Sequence, residues 1–257
     1  MHVVVMGAGV IGTTAAWYLL QNGHQVTVID RQHASAQETS FANGGQISAC
    51  HATPWANKGT PGQILKWLGR EEAPLLIRMR FDPQLFAWGL RFLANCTDKR
   101  AQVNLEKALR VATYSRDCLR ALRGQLDLQY DHSERGILHI CRDDGEMAAV
   151  ARATQQMQEL GLGRKLVSTQ ECYEIEPALH QSTAPIVGGS YTPDDESGDA
   201  RKFTEQLTGH CRARGADFKF NTTIDRLIHD NGKITAVQTN QGQIKADAFL
   251  VCLGSYS

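Results

Sequence analysis

The sequence has 257 residues, of which 42% are hydrophobic and 21% are charged, as is ordinary for a soluble globular protein. Lysine plus arginine and aspartate plus glutamate both number 27, so no overall field would gather nucleic acid or acidic lipid. The composition therefore argues against disordered tails, but not against partners, because a local basic patch could still exist. No nucleic-acid partner is expected.

Seven cysteines are scattered along the chain without a Cys-x-x-Cys pair, which is unlike a disulfide framework or a zinc site. We expect separate thiols in a reducing compartment and no metal. The first strand begins directly after the N-terminal residues and leaves no room for a signal peptide. No apolar run approaches the roughly 20 residues that span a bilayer. A cytoplasmic protein is predicted, with peripheral membrane contact left open.

The first 30 residues predict a β-turn-α-β unit. Val3–Met6 is a short apolar strand, and a glycine-rich turn follows over residues 7–12. Thr13–Gln21 is typical of a helix, and Val26–Ile29 of a second buried strand that ends at Asp30. This order predicts an α/β fold that opens with a doubly wound parallel sheet.

The glycine turn reads Gly7-Ala8-Gly9-Val10-Ile11-Gly12 and has the spacing of a dinucleotide-binding loop. In such a loop the first glycine makes the tight turn, the second lets backbone approach a pyrophosphate, and the third allows close packing of helix on strand. The helix N-terminus then attracts the phosphates, and Asp30 can accept hydrogen bonds from ribose hydroxyls. The motif does not separate FAD from NAD, and a degenerate structural unit is the alternative.

Beyond residue 31 the pattern changes several times. Residues 32–63 are small and polar with little periodicity, which favours a functional loop. Helices are predicted within 64–123, around 143–160 and after Asp199, which is placed to cap the last of them. Strands are predicted at 136–141, 187–191, 217–220, 224–229, 233–238 and 247–253. We interpret residues 1–58 and 192–257 as a nucleotide domain interrupted by an α+β domain over 59–191.

Several short motifs make the sequence more specific than the glycine loop does. They are Trp17-Tyr18-Leu19, Thr39-Ser40-x-x-Asn43-x-Gly45-Gln46-Ile47-Ser48, Pro54-Trp55, Tyr114-Ser115-Arg116-Asp117-Cys118-Leu119, Glu176-Pro177-Ala178-Leu179, Asp195-Glu196-x-Gly198-Asp199 and Gly254-Ser255-Tyr256-Ser257. In these the chain resembles the D-amino acid dehydrogenase family, of the small-subunit type, within the glycine oxidase and sarcosine oxidase superfamily. The resemblance extends over all 257 residues.

The resemblance implies FAD as the cofactor, a Rossmann-type FAD-binding domain and an inserted substrate domain. Ser40, Asn43 and the backbone of 44–47 would follow the pyrophosphate toward the flavin, although a plain polar loop is the alternative. Thr223 and Ile224 would lie near the adenine. Together, the loop and the resemblance assign these cofactor-binding residues: Val3, Val4, Val5, Met6, Gly7, Ala8, Gly9, Val10, Ile11, Gly12, Thr13, Thr14, Ala15, Ala16, Trp17, Asp30, Arg31, Ser40, Asn43, Gly44, Gly45, Gln46, Ile47, Thr223, Ile224 and Gly254.

Candidate catalytic residues follow from the same resemblance, which places Gln46 and His51 near the flavin face. Position 51 is more often tyrosine in that family, so His51 is a departure, and a solvated loop histidine is the alternative. Arg78, Arg80 and Arg91 could face the substrate, but ordinary surface arginines are favoured. The acidic run Asp194-Asp195-Glu196 resembles a pair of catalytic carboxylates, yet it is interpreted as a loop leading into a helix.

The implied activity is FAD-dependent oxidative deamination of D-amino acids, D-alanine first, to 2-oxo acids and ammonia. Hydride would pass from the α-carbon to flavin N5, and electrons to a respiratory quinone, which implies contact with the inner face of the plasma membrane. The alternatives are an amine or imino-acid oxidase of the glycine, sarcosine or proline type, and a non-catalytic nucleotide-binding fragment.

The resembling family continues well beyond Ser257, so the chain is expected to be an N-terminal part that is inactive alone. The arginine that binds the substrate carboxylate is expected in the remainder. Without the remainder of the chain, the apolar helix face Leu105-Ala108-Leu109-Ala112 is expected to lack packing partners.

Overall fold

The computed structural model describes residues 1–73 and 81–257, except for the side chain of Tyr256; Arg78 and Arg80 lie outside the described residues. In this part of the chain the α-helices are α1 (Val10–Gln21), α2 (Thr60–Trp67), α3 (Pro83–Asn95), α4 (Asp98–Gln125), α5 (Asp144–Glu159), α6 (Thr169–Ile175) and α7 (Ala200–Ala213). The strands are β1 (His2–Met6), β2 (Gln25–Ile29), β3 (Gln46–Ile47), β4 (Ile137–Cys141), β5 (Lys165–Val167), β6 (Gly188–Thr192), β7 (Glu196–Ser197), β8 (Asp217–Lys219), β9 (Ile224–Asp230), β10 (Lys233–Thr239), β11 (Gly242–Lys245) and β12 (Ala248–Val251).

The chain forms two compact units that differ at their edges from the predicted domains. Unit 1 comprises Met1–Gln46, Arg123–Ser133 and Glu196–Ser257, and unit 2 comprises Ile47–Leu122 and Glu134–Asp195. The segment 123–133 joins unit 1 because its backbone bonds there: the Asp199 N–H donates to the Tyr130 carbonyl oxygen at 2.7 Å. The assignment of the predicted domains to cofactor and substrate stays a prediction.

Unit 1 is built on a parallel sheet with strand order β12-β1-β2-β8. Strand β1, one of its two central strands, is almost wholly buried, as is typical of a parallel sheet whose two faces are both covered. On one side Met6 pairs with Ile29, and on the other with Val251. This order agrees with the doubly wound sheet that the first 30 residues predict.

Helix α1 begins three residues earlier than predicted, because Val10–Gly12 already has helical geometry. Gly9 is its N-cap, and Asn22 is its C-cap, directly before Gly23 with φ of +76°. The helix packs against α7, where the buried Cys211 thiol donates to the Thr13 carbonyl oxygen at 3.7 Å. The predicted cap of α7 is confirmed, since the Asp199 carboxylate accepts from the Lys202 N–H at 2.9 Å.

An antiparallel sheet of order β11-β10-β9 also belongs to unit 1. Its first turn contains Asn231 and Gly232, both with positive φ, as the favoured two-residue hairpin turn requires. The sequence predicted β9 and β10 but not β11, whose four residues are mostly polar and exposed. Val237 of β10 joins a core cluster with Val4, Met6 and Ile29.

Unit 2 contains an antiparallel sheet of order β4-β6-β5, with α5 and α6 packed against it. Its core includes Val167, Cys172 and Ile186. The expectation that the apolar face of α4 lacks partners is wrong for Leu105 and Leu109, which are both buried. In the described residues, no helix combines the length and the apolar character that crossing a membrane requires.

Candidate functional site

At two of the three glycine positions of the loop, no residue larger than glycine fits. Gly7 has φ of +107°, and a Cβ there would overlap the Cys252 carbonyl oxygen. A Cβ on Gly12 would overlap the carbonyl oxygen of Gly7. Gly9 differs, because its Cβ would meet only the Ser40 hydroxyl, at 3.3 Å. The loop is thus packed tightly against the backbone of Cys252 at its start and against its own backbone at its end, and it is open in the middle.

The N-terminus of α1 leaves its donors available. The Val10 N–H donates to Ser40 Oγ at 3.0 Å, while no side chain of the N-cap residue Gly9 covers the turn. The next two N–H groups, of Ile11 and Gly12, have no acceptor within an α-helix. The first turn carries no acidic residue. This geometry suits an anion, which would meet free N–H groups and the positive end of the helix dipole.

Asp30 braces this loop from the end of β2. One carboxylate oxygen accepts from the Ala8 N–H at 2.7 Å, and the other accepts from the Gln32 N–H at 2.8 Å. Each oxygen keeps a further lone pair, which is available to a ribose hydroxyl. The bond to the ribose stays a prediction. Arg31 pairs with Glu38 at 2.7 Å and thereby holds the pKa of that carboxyl below its usual value.

A polar cleft of about 360 Å³ lies within unit 1 beside the second predicted cofactor segment. It is lined by Phe41, Asn43, Gly44, Gly45, Asp131, Ser197, Gly198, Asp199 and Ala200. The Asn43 side chain accepts from the Gly45 N–H at 2.7 Å, and the Gly45 carbonyl oxygen accepts from the Gly198 N–H at 2.8 Å. Residues 43–45 therefore present a polar wall that hydrogen bonds hold in place, and their contact with the cofactor stays a prediction.

The model of the FAD dependent oxidoreductase family matches residues 2–257. The chain belongs to this family. FAD is accordingly its cofactor, as predicted, and NAD, which the glycine motif alone left open, is set aside.

Relatives of this FAD-dependent oxidoreductase agree with the predicted resemblance. The D-amino acid dehydrogenase of Dechloromonas aromatica is 52% identical, covering 100% of this chain and 63% of the relative. That of Paramagnetospirillum magneticum is 51% identical, covering 99% of this chain and 60% of the relative. The chain thus spans about three fifths of the length of these curated relatives.

Solved structures share the fold. Glycine oxidase from Geobacillus kaustophilus has a TM-score of 0.71 at 17% identity, covering 99% of this chain and 55% of that one. L-proline dehydrogenase from P. horikoshii has a TM-score of 0.64 at 21% identity, covering 99% of this chain and 53% of that one. At these identities the likeness concerns the fold alone, and it confirms the predicted Rossmann-type α/β class.

The residues of this FAD-dependent oxidoreductase fit a pyrophosphate at the glycine loop. The fit rests on the open position at Gly9 and on the uncovered N–H groups of α1. Several other predicted cofactor residues pack inside unit 1: Val3, Val4, Val5, Met6, Ala8, Thr13, Ala16 and Trp17 are buried. Their side chains support the loop, and contact between them and FAD stays a prediction.

The predicted adenine-side residues Thr223 and Ile224 lie at the start of β9, and Gly254, predicted on a turn that returns to the cofactor, follows β12. The Thr223 N–H donates to the Asn240 side chain at 2.9 Å, and Ile224 packs against the unit 1 core. Gly254 has φ of +61°, with open space where a Cβ would be. Their contact with the cofactor stays a prediction.

The two predicted catalytic residues fall in different units. Gln46 is exposed at the start of β3, in unit 1. His51 is exposed at the end of the 3-10 turn Ala49–His51, in unit 2. Its ring centroid lies 6.2 Å from that of His139 on β4. Burial lowers the pKa of His139, and the charges of Arg164 and His51 lower it further, against an opposing effect of Glu146.

The acidic run contains two buried carboxylates that the sequence interpretation missed. Asp195 and Glu196 are both almost inaccessible to solvent, which a simple loop does not explain. Glu196 pairs with Arg123, and Asp195 accepts from the Ser48 hydroxyl. Their partners differ because successive residues of an extended chain point in opposite directions. Arg91 is exposed on α3, in agreement with the favoured surface interpretation.

Proposed function

We propose that the complete protein is a D-amino acid dehydrogenase, which oxidises D-amino acids, D-alanine first, to 2-oxo acids and ammonia. The observation that carries the proposal is the identity of 52% and 51%, along the whole chain, to two proteins of that name. The intact glycine loop and its uncovered helix N-terminus support it.

In this proposal the residues of unit 1 hold the cofactor. The backbone of Gly7–Gly12 receives the pyrophosphate, Asp30 stiffens that loop, and Ser40 and Asn43–Gly45 extend the polar path. FAD, when bound, supplies the hydride-accepting chemistry. The task of the chain is then to orient the amino acid and to exclude water.

On the substrate side, we propose that Gln46 and His51 contact the amino acid. Both are exposed, so both are available to a ligand. Burial and the charge of Arg164 lower the pKa of His139, which disfavours a second positive charge beside His51.

The first prediction concerns the enantiomer. With an artificial dye as acceptor, the complete protein should oxidise D-alanine with a kcat/KM more than about tenfold above that for L-alanine, a discrimination of about 1.4 kcal/mol. Pyruvate and ammonia should form in equal amounts. Sarcosine, glycine and L-proline serve as comparison substrates. Turnover confined to those three would replace the proposal by the related oxidase, and a complete protein without bound flavin would favour the non-catalytic alternative.

We also propose that the acceptor is a membrane quinone, which the protein reaches by peripheral contact through α3. This helix has no buried residue, and its only charged side chain is Arg91. Its exposed apolar residues are Leu85, Phe86, Trp88, Leu90 and Leu93, and Phe81 precedes it. A patch of this kind marks an interaction surface, and tryptophan with leucine and phenylalanine is typical of helices that lie in a lipid interface.

The second prediction tests this surface with the complete protein and vesicles of phosphatidylethanolamine and phosphatidylglycerol. The unaltered protein should sediment with the vesicles. Trp88→Lys with Leu90→Lys should weaken binding by more than about tenfold, because each buried apolar side chain contributes about 1.5–3 kcal/mol. Val111→Lys, at an equally exposed position on α4, is the control and should bind normally. No sedimentation of the unaltered protein would mean that another part of the protein or a second copy covers the patch.

A further inference from the structure

Asp195 is a buried carboxylate that no proposed step has used. It ends unit 2 and is only 1% exposed. The turn that carries it is anchored twice: the Asp195 N–H donates to the Thr192 carbonyl oxygen at 3.3 Å, and Arg120 donates to the Asp194 carbonyl oxygen at 2.9 Å. The backbone that carries the carboxylate is therefore held in place by two hydrogen bonds.

The carboxylate holds the segment that carries His51. One of its oxygens accepts from the Ser48 hydroxyl. Ser48 is the N-cap of the 3-10 turn Ala49–His51, yet its hydroxyl does not cap that turn. That hydroxyl donates to Asp195 instead. Asp195 thus holds the residue at the N-terminal end of the turn whose last residue is His51.

Arg116 completes this cluster. Its side chain is 12% exposed, and its Nε and Nη1 atoms are buried without a hydrogen bond. Asp195 Oδ1 is buried without a hydrogen bond as well. Burial raises the pKa of Asp195, while the Ser48 hydroxyl, the backbone of Ala49 and the charges of His51 and Arg116 oppose that rise. Arg116 Nε lies 3.6 Å from a carboxylate oxygen of Asp117. Buried polar atoms without a hydrogen bond are costly, so these atoms call for an explanation beyond stability.

We propose that Asp195 is a positioning residue, which fixes Ser48 and the turn Ala49–His51 so that the His51 ring meets the substrate in one orientation. Ala49 and Cys50 are buried, so the turn is anchored on one side by packing and on the other by this carboxylate. The inference rests on the proposed contact between His51 and the amino acid.

The test uses the complete holoprotein with D-alanine. Asp195→Ala should raise KM by about tenfold or more, the loss expected for hydrogen bonds to a charged acceptor, with kcat changed less. Flavin content and the flavin absorption spectrum should stay as they were. Asp195→Asn keeps an acceptor oxygen and should recover most of the loss. Asp194→Ala, at the exposed neighbouring carboxylate, is the matched control.

Two further measurements separate positioning from a general structural role. In a His51→Ala background, Asp195→Ala should have little additional effect on KM, because both changes then act through one group. Amide hydrogen exchange over residues 47–52 should be faster in Asp195→Ala and normal in Asp194→Ala. Fully additive KM effects, or unchanged exchange, would overturn the inference. If the unaltered protein does not oxidise D-alanine at all, the proposed function fails, whereas unchanged exchange counts against the positioning role alone.

Discussion

Replacing Gly9 by valine should strip the protein of most of its FAD and leave the fold in place. The backbone at Gly9, with φ of −74° and ψ of −178°, is open to any residue, and a Cβ there meets only Ser40. A branched side chain would nevertheless occupy the space that a phosphate must enter. Loss of charged hydrogen bonds worth about 1.5–3 kcal/mol each should weaken FAD binding by tenfold or more.

Flavin absorbance per mole of purified complete protein measures this loss, and circular dichroism reports the fold. Gly209→Ala is the control, because this glycine lies within α7 with open space around it. Gly12→Ala forms a contrast, since its Cβ overlaps the Gly7 carbonyl oxygen and should lower both FAD content and stability. Full FAD occupancy in Gly9→Val would remove the glycine loop from the cofactor site.

The sequence predicted this loop well because the signal is local. Strand, glycine spacing, helix and second strand follow one another within 30 residues, and the register of β1 with β2 agrees with that order. The start of α1 was misplaced by three residues, since Val10–Gly12 serves both the glycine motif and the first helical turn. The residues of a sequence motif can therefore also belong to the helix that follows, and the glycine spacing alone does not determine where that helix begins.

The buried carboxylates could not be predicted, because their partners are distant in the chain. Arg123 and Glu196 are 73 residues apart, and Ser48 and Asp195 are 147 residues apart. An acidic run before a helix cap has the ordinary pattern of a solvated loop. The burial of Leu105 and Leu109 was missed for the same reason, since periodicity indicates an apolar face and not what covers it. The edges of the two units also depend on such long-range contacts.

Glu196 has a demanding environment for a charged residue, since its side chain is fully buried. Arg123 Nη1 donates to its carboxylate at 2.7 Å and to the Tyr130 hydroxyl at 3.0 Å. Burial by itself lowers the pKa of Arg123, but the hydrogen bonds to Glu196 and Tyr130 outweigh it and raise the pKa above its usual value. Arg123 therefore stays charged in contact with the buried Glu196 carboxyl.

Glu196→Ala should accordingly lower the free energy of unfolding by about 3–5 kcal/mol, because it deprives the largely buried Arg123 guanidinium of this carboxylate. Urea denaturation followed by circular dichroism measures the change. Glu205→Ala breaks the exposed pair with Arg201 on α7 and should cost less than about 1 kcal/mol. Replacing both partners, as Arg123→Met with Glu196→Leu, should recover much of the loss, since an apolar pair of similar volume carries no unpaired charge. A loss in Glu196→Ala no larger than that in Glu205→Ala would mean that water reaches Arg123 and that the pair is not buried in solution.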